Sequence, residues 1–292
     1  MTHVLRNTAP GTTLDAAVAQ AIASGLDRLD AQWLLLHALG RSLDERAWLI
    51  AHGGDTVPAD AHARYADLCA RRRDAVPLAY LTGRRGFHGL ELSVDARVLD
   101  PRPDTETLVD WALAVTAPPA STSKGTPRIV DLGTGSGAIA LALKKHLPRA
   151  QVHAVDASAD ALSVAQANAQ RLGLPLHLHC GSWWTPLAGL RFDLAVSNPP
   201  YIAEGDPHLP ALRHEPMAAL VAGPDGLADL RTIVAGAPAH LQPGGWLLLE
   251  HGHDQHSAVA QLLREAGLTD IAHRRDIAGI VRCTGGRYMQ AR

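Results

Sequence analysis

The sequence predicts an α/β fold: a mostly parallel sheet with helices on both faces, preceded by a small helical domain. Three observations carry that prediction. From Arg128 onward, short apolar runs alternate with amphipathic segments. Residues 1–75 show only helical periodicity, and glycine and proline are scattered along the chain rather than concentrated.

The elements follow in order. "LDAAVAQAIASGL" (14–26), "DAQWLLLHALG" (30–40) and "ADAHARYADLCARRRD" (59–74) carry apolar residues at three- and four-residue spacing. Gly40 stops the second and Pro58 precedes the third, so residues 1–75 read as an N-terminal helical domain for recognising a substrate. In "YLTGRRGFHGLELSVDARVL" (80–99), Leu90, Leu92 and Val94 alternate with polar residues. Gly83, Gly86 and Gly89 permit turns there, and residues 76–100 read as a β-hairpin linker.

Residues 101–292 form the third division. "PRPDTETLVDWALAV" opens a helix that Asp104 or Thr105 can cap, with Leu108, Trp111, Ala112 and Val115 as its apolar stripe. "APPASTSKGTP" (117–127) is a loop by composition. Strands are expected at 128–132, 151–156, 176–180, 192–197 and 244–250, and helices at 137–146, 158–172, 225–240 and 255–266. In such a sheet, ligands collect at the carboxyl ends of the strands.

The totals exclude several classes. The 292 residues carry a net charge of −2, which argues against a protein that lives on duplex DNA, where phosphate neutralisation supplies most of the affinity. Arg71–Arg73 is the only basic run and reads as a solvated helix end. Cys69, Cys180 and Cys283 form no CxxC, so neither a disulfide framework nor a zinc site is expected. "HGHDQH" (His251, His253, His256) reads as a polar, solvated loop rather than a metal site. No stretch is long and apolar enough for a bilayer, and "MTHVLRNTAPG" lacks the apolar core of a signal peptide. The expectation is a cytoplasmic monomer without metal, membrane or duplex nucleic acid as partner.

"RIVDLGTGSGAIALAL" (128–143) reads as a strand, a glycine turn and a helix. Gly133, Gly135 and Gly137, with Thr134 and Ser136 between them, allow positive φ and leave no Cβ to block a ligand. Gly133-x-Gly135-x-x-Ala138 also fits a dinucleotide fingerprint, with Asp156 ending the next strand where an acid takes ribose hydroxyls. The glycines alone leave NAD and other adenosyl cofactors open. Asp131 tips the balance, because an acid near the turn suits a cationic ligand and sits poorly beside a pyrophosphate. S-adenosylmethionine carries a sulfonium and an ammonium and no phosphate. A sheet with D-x-G-x-G-x-G at its first strand and an acid at its second resembles the class I S-adenosylmethionine-dependent methyltransferases. That resemblance implies a Rossmann-like sheet of seven strands, the last antiparallel.

"VSNPPY" (196–201) ends a strand in a rigid loop, since two prolines remove two donors and fix two φ angles. Methyl transfer to nitrogen is an in-line displacement governed by positioning. An amide nitrogen is a poor nucleophile, and acceptors on its N–H groups aim its lone pair. Asn198 offers a side-chain oxygen, the Pro199 carbonyl a second acceptor, and Tyr201 a ring to stack on the planar amide.

N-P-P-Y at that strand end is shared by DNA adenine and protein glutamine methyltransferases. Further stretches resemble the HemK/PrmC family, which methylates peptide chain release factors. They are "PLAYLTGRRGFHG" (77–89), "PRPDTE" (101–106), "DLGTGSGAIALAL" (131–143), "AVDAS" (154–158), "VSNPPYIAEGDPHL" (196–209), "EPMAALVAGPDGL" (215–227) and "GGWLLLEHGHDQ" (244–255). The resemblance implies N5-methylation of the glutamine in the Gly-Gly-Gln tip of release factors with S-adenosylmethionine. It also implies cofactor contacts from Gly133–Gly137, Asp156, Trp183 and Asn198. The substrate glutamine would lie on Asn198, Pro199, Pro200 and Tyr201.

Two positions depart from the family pattern. Ser182 stands where an acid usually precedes the tryptophan, and Asp100 stands where an apolar residue usually precedes "PRPDTE". Arg102 and Glu106 read equally as a clamp at the cleft entrance or as a helix-start salt bridge. Glu250 is an edge-of-site carboxylate rather than a base. The rival readings are a glutamine methyltransferase acting on a ribosomal protein, a DNA adenine methyltransferase, an NAD-dependent oxidoreductase and, weakest, a non-enzymatic chaperone-like or RNA-binding module.

Overall fold

The computed structural model describes residues 11–116 and 125–289, in two compact units, residues 1–83 and 84–292. The expected loop at 117–127 lies outside the described residues except for its last three, and so does "MTHVLRNTAP".

The first unit is helical: α1 (Leu14–Ala23), α2 (Arg28–Ala38), α3 (Arg46–Ala51), α4 (Ala59–Arg73) and α5 (Leu78–Thr82). Its core is aliphatic. Ala31, Leu34, Leu35 and Leu36 of α2 are fully buried, and Tyr65 donates its phenol proton to the Ala31 carbonyl at 3.1 Å. The sequence reading missed two elements, the short helices α3 and α5. The helical unit therefore runs to Gly83 rather than to residue 75. Pro77 leads into α5, and Gly83 ends it in the left-handed conformation (φ 70°), which costs a glycine nothing. The arginine run does end α4, but Arg72 is half-buried on Asp30 at 2.7 Å rather than simply solvated.

The second unit opens with an antiparallel hairpin, β1 (Arg84–Phe87) and β2 (Leu90–Ser93). Its two-residue turn, His88-Gly89, has both φ angles positive (46° and 71°), as the twist of a tight hairpin requires. A single 3-10 turn (Pro103–Thr105) leads into α6 (Glu106–Thr116). Alternation then follows: β3 (Arg128–Leu132), α7 (Ala138–His146), β4 (Gln151–Asp156), α8 (Ala159–Leu172), β5 (His177–Cys180) and β6 (Phe192–Ser197). The chain ends with α9 (Ala228–His240), β7 (Leu241–Glu250), α10 (His256–Glu265), β8 (Leu268–Arg275) and β9 (Val281–Tyr288).

Seven strands make one sheet in the order β5-β4-β3-β6-β7-β9-β8, parallel except for β9, which is antiparallel to both neighbours. The expected strands sit where the sequence put them, with β7 beginning three residues early. The last two strands carry no such signal. β8 is a mostly exposed edge strand, and β9 contains Gly285-Gly286, which reads as a turn. Packing explains the first of those glycines. A Cβ on Gly285 would lie 2.5 Å from Leu248 Cδ2 and 2.8 Å from the Trp111 ring, so β7 and α6 approach too closely for any side chain.

Both faces of β3 and β6 are buried. Ile129, Val130, Leu132, Leu194, Ala195 and Val196 have no exposed surface, which is why these runs are largely apolar, interrupted only by Asp131 and Asp193. β3 lies between β4 and β6, so the connection reverses direction beside it. The carboxyl ends of β3, β4 and β6 therefore border one crevice. Helix α8, which descends from β4, is capped by Ser158, whose hydroxyl accepts from Ala161 N–H at 3.1 Å. Ser158→Ala is expected to cost about 1 kcal/mol in urea unfolding with little change in the slope.

Candidate active site

The ends of β3 and β6 are stitched together by the Ser197 hydroxyl, which donates to the Leu132 carbonyl at 2.6 Å inside the protein. This puts the glycine turn and the Asn198–Tyr201 loop on adjacent strands. Gly133, Gly135 and Gly137 all adopt positive φ (74°, 53° and 84°). The turn is anchored to β4, with Gly133 and Thr134 N–H donating to the Val155 carbonyl at 2.8 and 2.9 Å. A Cβ on Gly135 would meet nothing within 4 Å, so this part of the backbone is open to a ligand.

Asp131 departs from its sequence reading. It is not aimed outward at a ligand's charge. It has no exposed surface, and its Oδ2 accepts from the Thr134 hydroxyl (2.7 Å) and Ala140 N–H (3.2 Å), bracing the turn against α7. Its Oδ1 has no protein partner. The hydroxyl of Thr134 is thereby spent, and Ser136 is 2% exposed, so these two residues offer main chain rather than side chain.

Burial pushes the Asp131 carboxyl up to about 7, with Asp156 adding repulsion. A folded value above the ordinary 3.8 means that Asp131 stabilises the fold at low pH, and that this contribution is lost as pH rises towards 7. Asp131→Asn is expected to remove that dependence. Between pH 5 and 8 the wild type should lose about 1 kcal/mol or more relative to the variant, read from paired denaturation curves.

Asp156 closes the other side. Its Oδ2 accepts from Gly135 N–H and its Oδ1 from Ser158 N–H, both at 2.9 Å. Each oxygen keeps a lone pair for a hydroxyl. Trp183 stands over the turn, its six-membered ring 3.2 Å from the position a Gly133 Cβ would take. It is held at φ 48°, a strained conformation for a bulky residue, and its indole lies beside Asp229. That twist separates the two tryptophans. Trp184 goes to the core, where its Nε1 donates to the Ile233 carbonyl at 2.9 Å, while Trp183 faces the turn. Ser182, just before them, is exposed.

Beyond β6 the chain does not simply leave the sheet. Ile202 pairs with Val221 in an isolated parallel bridge, and Ile202 N–H donates to the Leu220 carbonyl at 2.9 Å. The Tyr201 carbonyl accepts from the Gln255 side chain at 3.0 Å. Prolines and these outside contacts together hold the loop. A cavity of about 280 Å³ lies beside it, lined by Leu99, Arg102, Asn198, Pro199, Tyr201, Ile202, Leu212, Ala219 and Leu220. Burial raises the Tyr201 phenol well above its ordinary value, so the ring acts as a neutral wall. The Asn198 Nδ2 donates to Thr105 Oγ1 at 3.1 Å, and the buried Glu250 lies beside both residues.

Several partners were hidden from sequence. Thr105 caps no helix; it is 3% exposed and serves Asn198. Arg102 and Glu106 do not pair with each other. Arg102 donates to Glu215 at 2.5 Å, and Glu106 accepts from His88 N–H at 2.8 Å. Asp100 is buried between two arginines, 3.3 Å from Arg85 and 3.7 Å from Arg102, although the Arg85 Nε–H is aimed at the Pro101 carbonyl. Arg85 thus answers the buried acid at a position where the resemblance implies an apolar residue. His251 is fully buried instead of solvated: β9 supplies Thr284, whose hydroxyl lies 2.7 Å from its Nε2. Among the described residues no group of three or more His, Cys, Asp or Glu is placed to hold a metal, and no helix is long and apolar enough to cross a membrane.

Two family models match the chain: the PrmC N-terminal domain over residues 14–83 and the methyltransferase small domain over residues 113–215. The chain is 48% identical to a release factor glutamine methyltransferase of Xylella fastidiosa, across 93% of this chain and 97% of that protein. The chain belongs to the release factor glutamine methyltransferase family. A member from Bordetella pertussis is 49% identical, across 90% of this chain and 95% of its own length. A solved methyltransferase from Pyrococcus furiosus shares the fold, with a TM-score of 0.54 and 17% identity over 75% of this chain and 99% of that one. Family membership and this likeness together establish the class I methyltransferase fold that the glycine turn anticipated.

Proposed function

We propose that the protein transfers a methyl group from S-adenosylmethionine to the side-chain amide nitrogen of the Gly-Gly-Gln glutamine in peptide chain release factors. One observation carries the reading: the Ser197–Leu132 stitch sets a glycine turn with an acid-terminated neighbour strand beside the Asn-Pro-Pro-Tyr loop. Family relationship at 48–49% identity over nearly the whole of both chains names the same chemistry.

The residues present fit the cofactor. Gly135 leaves open backbone, Asp156 retains lone pairs for ribose hydroxyls, and Trp183 offers a π-face beside Gly133. Gly133–Gly137, with the main chain of Thr134 and Ser136, would hold the methionine portion, and Asn198 would border cofactor and substrate alike. When bound, the cofactor supplies an electrophilic methyl on sulfur.

The chain does the rest by positioning. Asn198 Oδ1 and the Pro199 carbonyl accept the two N–H bonds of the glutamine amide, Pro200 keeps the loop stiff, and Tyr201 packs on the planar group. Placing a weak nucleophile in line this way is worth several kcal/mol. The proton leaves once the nitrogen carries its methyl. The helical unit, matched by the PrmC N-terminal model, is the second surface for the protein substrate.

The test uses labelled S-adenosylmethionine and a release factor, intact or with its tip glutamine replaced by alanine. Label on the intact factor alone is expected. Label that persists on the alanine form rejects the acceptor, and transfer to a ribosomal protein instead favours the closest rival.

A further inference from the structure

We propose that Arg102 binds the substrate main chain, its guanidinium donating to carbonyl oxygens of the glycines beside the target glutamine, with Glu215 as the positioning residue that fixes its orientation. The inference rests on the reading of the Asn198 loop given above. Arg102 lines the 280 Å³ cavity together with Asn198, Pro199 and Tyr201, and among the described residues that line it Arg102 alone is charged.

The guanidinium is held from behind. Its Nη2 donates to Glu215 Oε1 at 2.5 Å, and its Nη1 lies 3.7 Å from Asp100 Oδ2. Glu215 is itself fixed, because its Oε2 accepts from the Asp100 main-chain N–H at 3.3 Å. The two acid side chains are 3% and 7% exposed, whereas that of Arg102 is 34% exposed. Among the described residues no other group accepts a hydrogen bond from Arg102. A guanidinium has several N–H donors in one plane, so most of them stay available at the cavity wall.

Much of the remaining lining lacks donors. Pro199 has no N–H, and Asn198 Nδ2 donates to Thr105 at 3.1 Å. The N–H groups of Ile202, Ala219 and Leu220 already bond the carbonyls of Leu220, Pro216 and Met217. A peptide entering here brings carbonyl oxygens, and a buried carbonyl without a donor is costly. Glycines have no side chain, so only their main-chain groups can be recognised. A planar fork of charged donors suits such oxygens, where a lysine would offer a point charge. The glutamine's own amide oxygen is the wrong target: a cation there favours the delocalised amide and draws the lone pair away from the attacking nitrogen.

The experiment compares wild type with Arg102→Lys, Arg102→Met, Glu215→Gln and the Arg102→Met/Glu215→Gln double variant on the intact release factor. Both Arg102 variants are expected to raise KM about tenfold or more, as for the loss of a charged hydrogen bond. Their kcat and their Kd for S-adenosylmethionine should stay within about threefold of wild type. Arg102→Lys keeps a cation beside Glu215 and should melt close to wild type, so its KM reports the lost fork rather than the fold. Glu215→Gln should raise KM less, and should add nothing to Arg102→Met. Unchanged KM in both Arg102 variants, or a further loss from Glu215→Gln in the double variant as large as its loss alone, overturns the proposal. A release factor left unlabelled by wild type rejects the parent reading, and this one with it.

A binding readout does not depend on methyl transfer. With the demethylated cofactor product present, acetyl-Gly-Gly-Gln-amide should shift the Arg102 Nε–H signal in NMR spectra, a signal assigned by its loss in Arg102→Lys. Replacing a glycine carbonyl by a thiocarbonyl, a poorer acceptor, should weaken binding to wild type about threefold or more. Arg102→Met should bind the two forms alike. An Arg102 signal that does not move, or the same discrimination in Arg102→Met as in wild type, sinks the proposal even when the release factor is labelled normally. Should Arg102→Met fail to fold, Arg102→Lys carries the same comparisons.

Discussion

Replacing Asn198 by alanine is expected to lower kcat on the release factor by about two to three orders of magnitude, or ~3–4 kcal/mol in the transition state. Removing one oriented acceptor from a reaction governed by alignment lets the glutamine amide rotate away from the methyl. Fold stability should change little. Asn198 is half-buried at a strand end, and the loop keeps its two prolines, the Ile202–Val221 bridge and the Gln255 contact. Binding of S-adenosylmethionine should weaken far less than turnover. Near-normal single-turnover rates would remove Asn198 from the chemistry, and a large drop in melting temperature would recast it as structural.

Asp156→Ala should instead strike cofactor affinity. Each hydrogen bond from a ribose hydroxyl to a carboxylate is worth about 1.5–3 kcal/mol, so losing two raises Kd about a hundredfold or more. A second loss adds to the first, since Gly135 and Ser158 N–H give up the oxygens that hold the turn to β4. Asp156→Asn keeps one acceptor and should fall between the two. Calorimetric titration of both variants measures this directly, and a Kd within threefold of wild type for Asp156→Ala would exclude the carboxylate as the ribose ligand. The two predictions part cleanly, one on kcat and the other on Kd.

Much of this was readable from the chain alone because the signals are local. A buried parallel strand needs a largely apolar run, and β3, β4 and β6 have one, interrupted only by Asp131, His153 and Asp193. A glycine turn needs alternating glycines, and a rigid acceptor loop needs prolines. The seven-strand count was different: it came by resemblance, and β8 and β9 had no pattern of their own. An edge strand tolerates polar residues, and Gly285 is small because Leu248 and Trp111 crowd it.

By itself the sequence determined the α/β alternation, the candidate cofactor turn and the loop at Asn198, all features whose cause lies within a few residues. Tertiary structure alone decided the partners. Asp131 became a brace because folding closed α7 over it. Trp183 rather than Trp184 faced the turn because Ile233 took the other indole. Thr105 and Glu215 reached Asn198 and Arg102 from distant parts of the chain. A hydrogen bond between residues about a hundred positions apart leaves no periodicity to read, and only the packed sheet brings its two ends together.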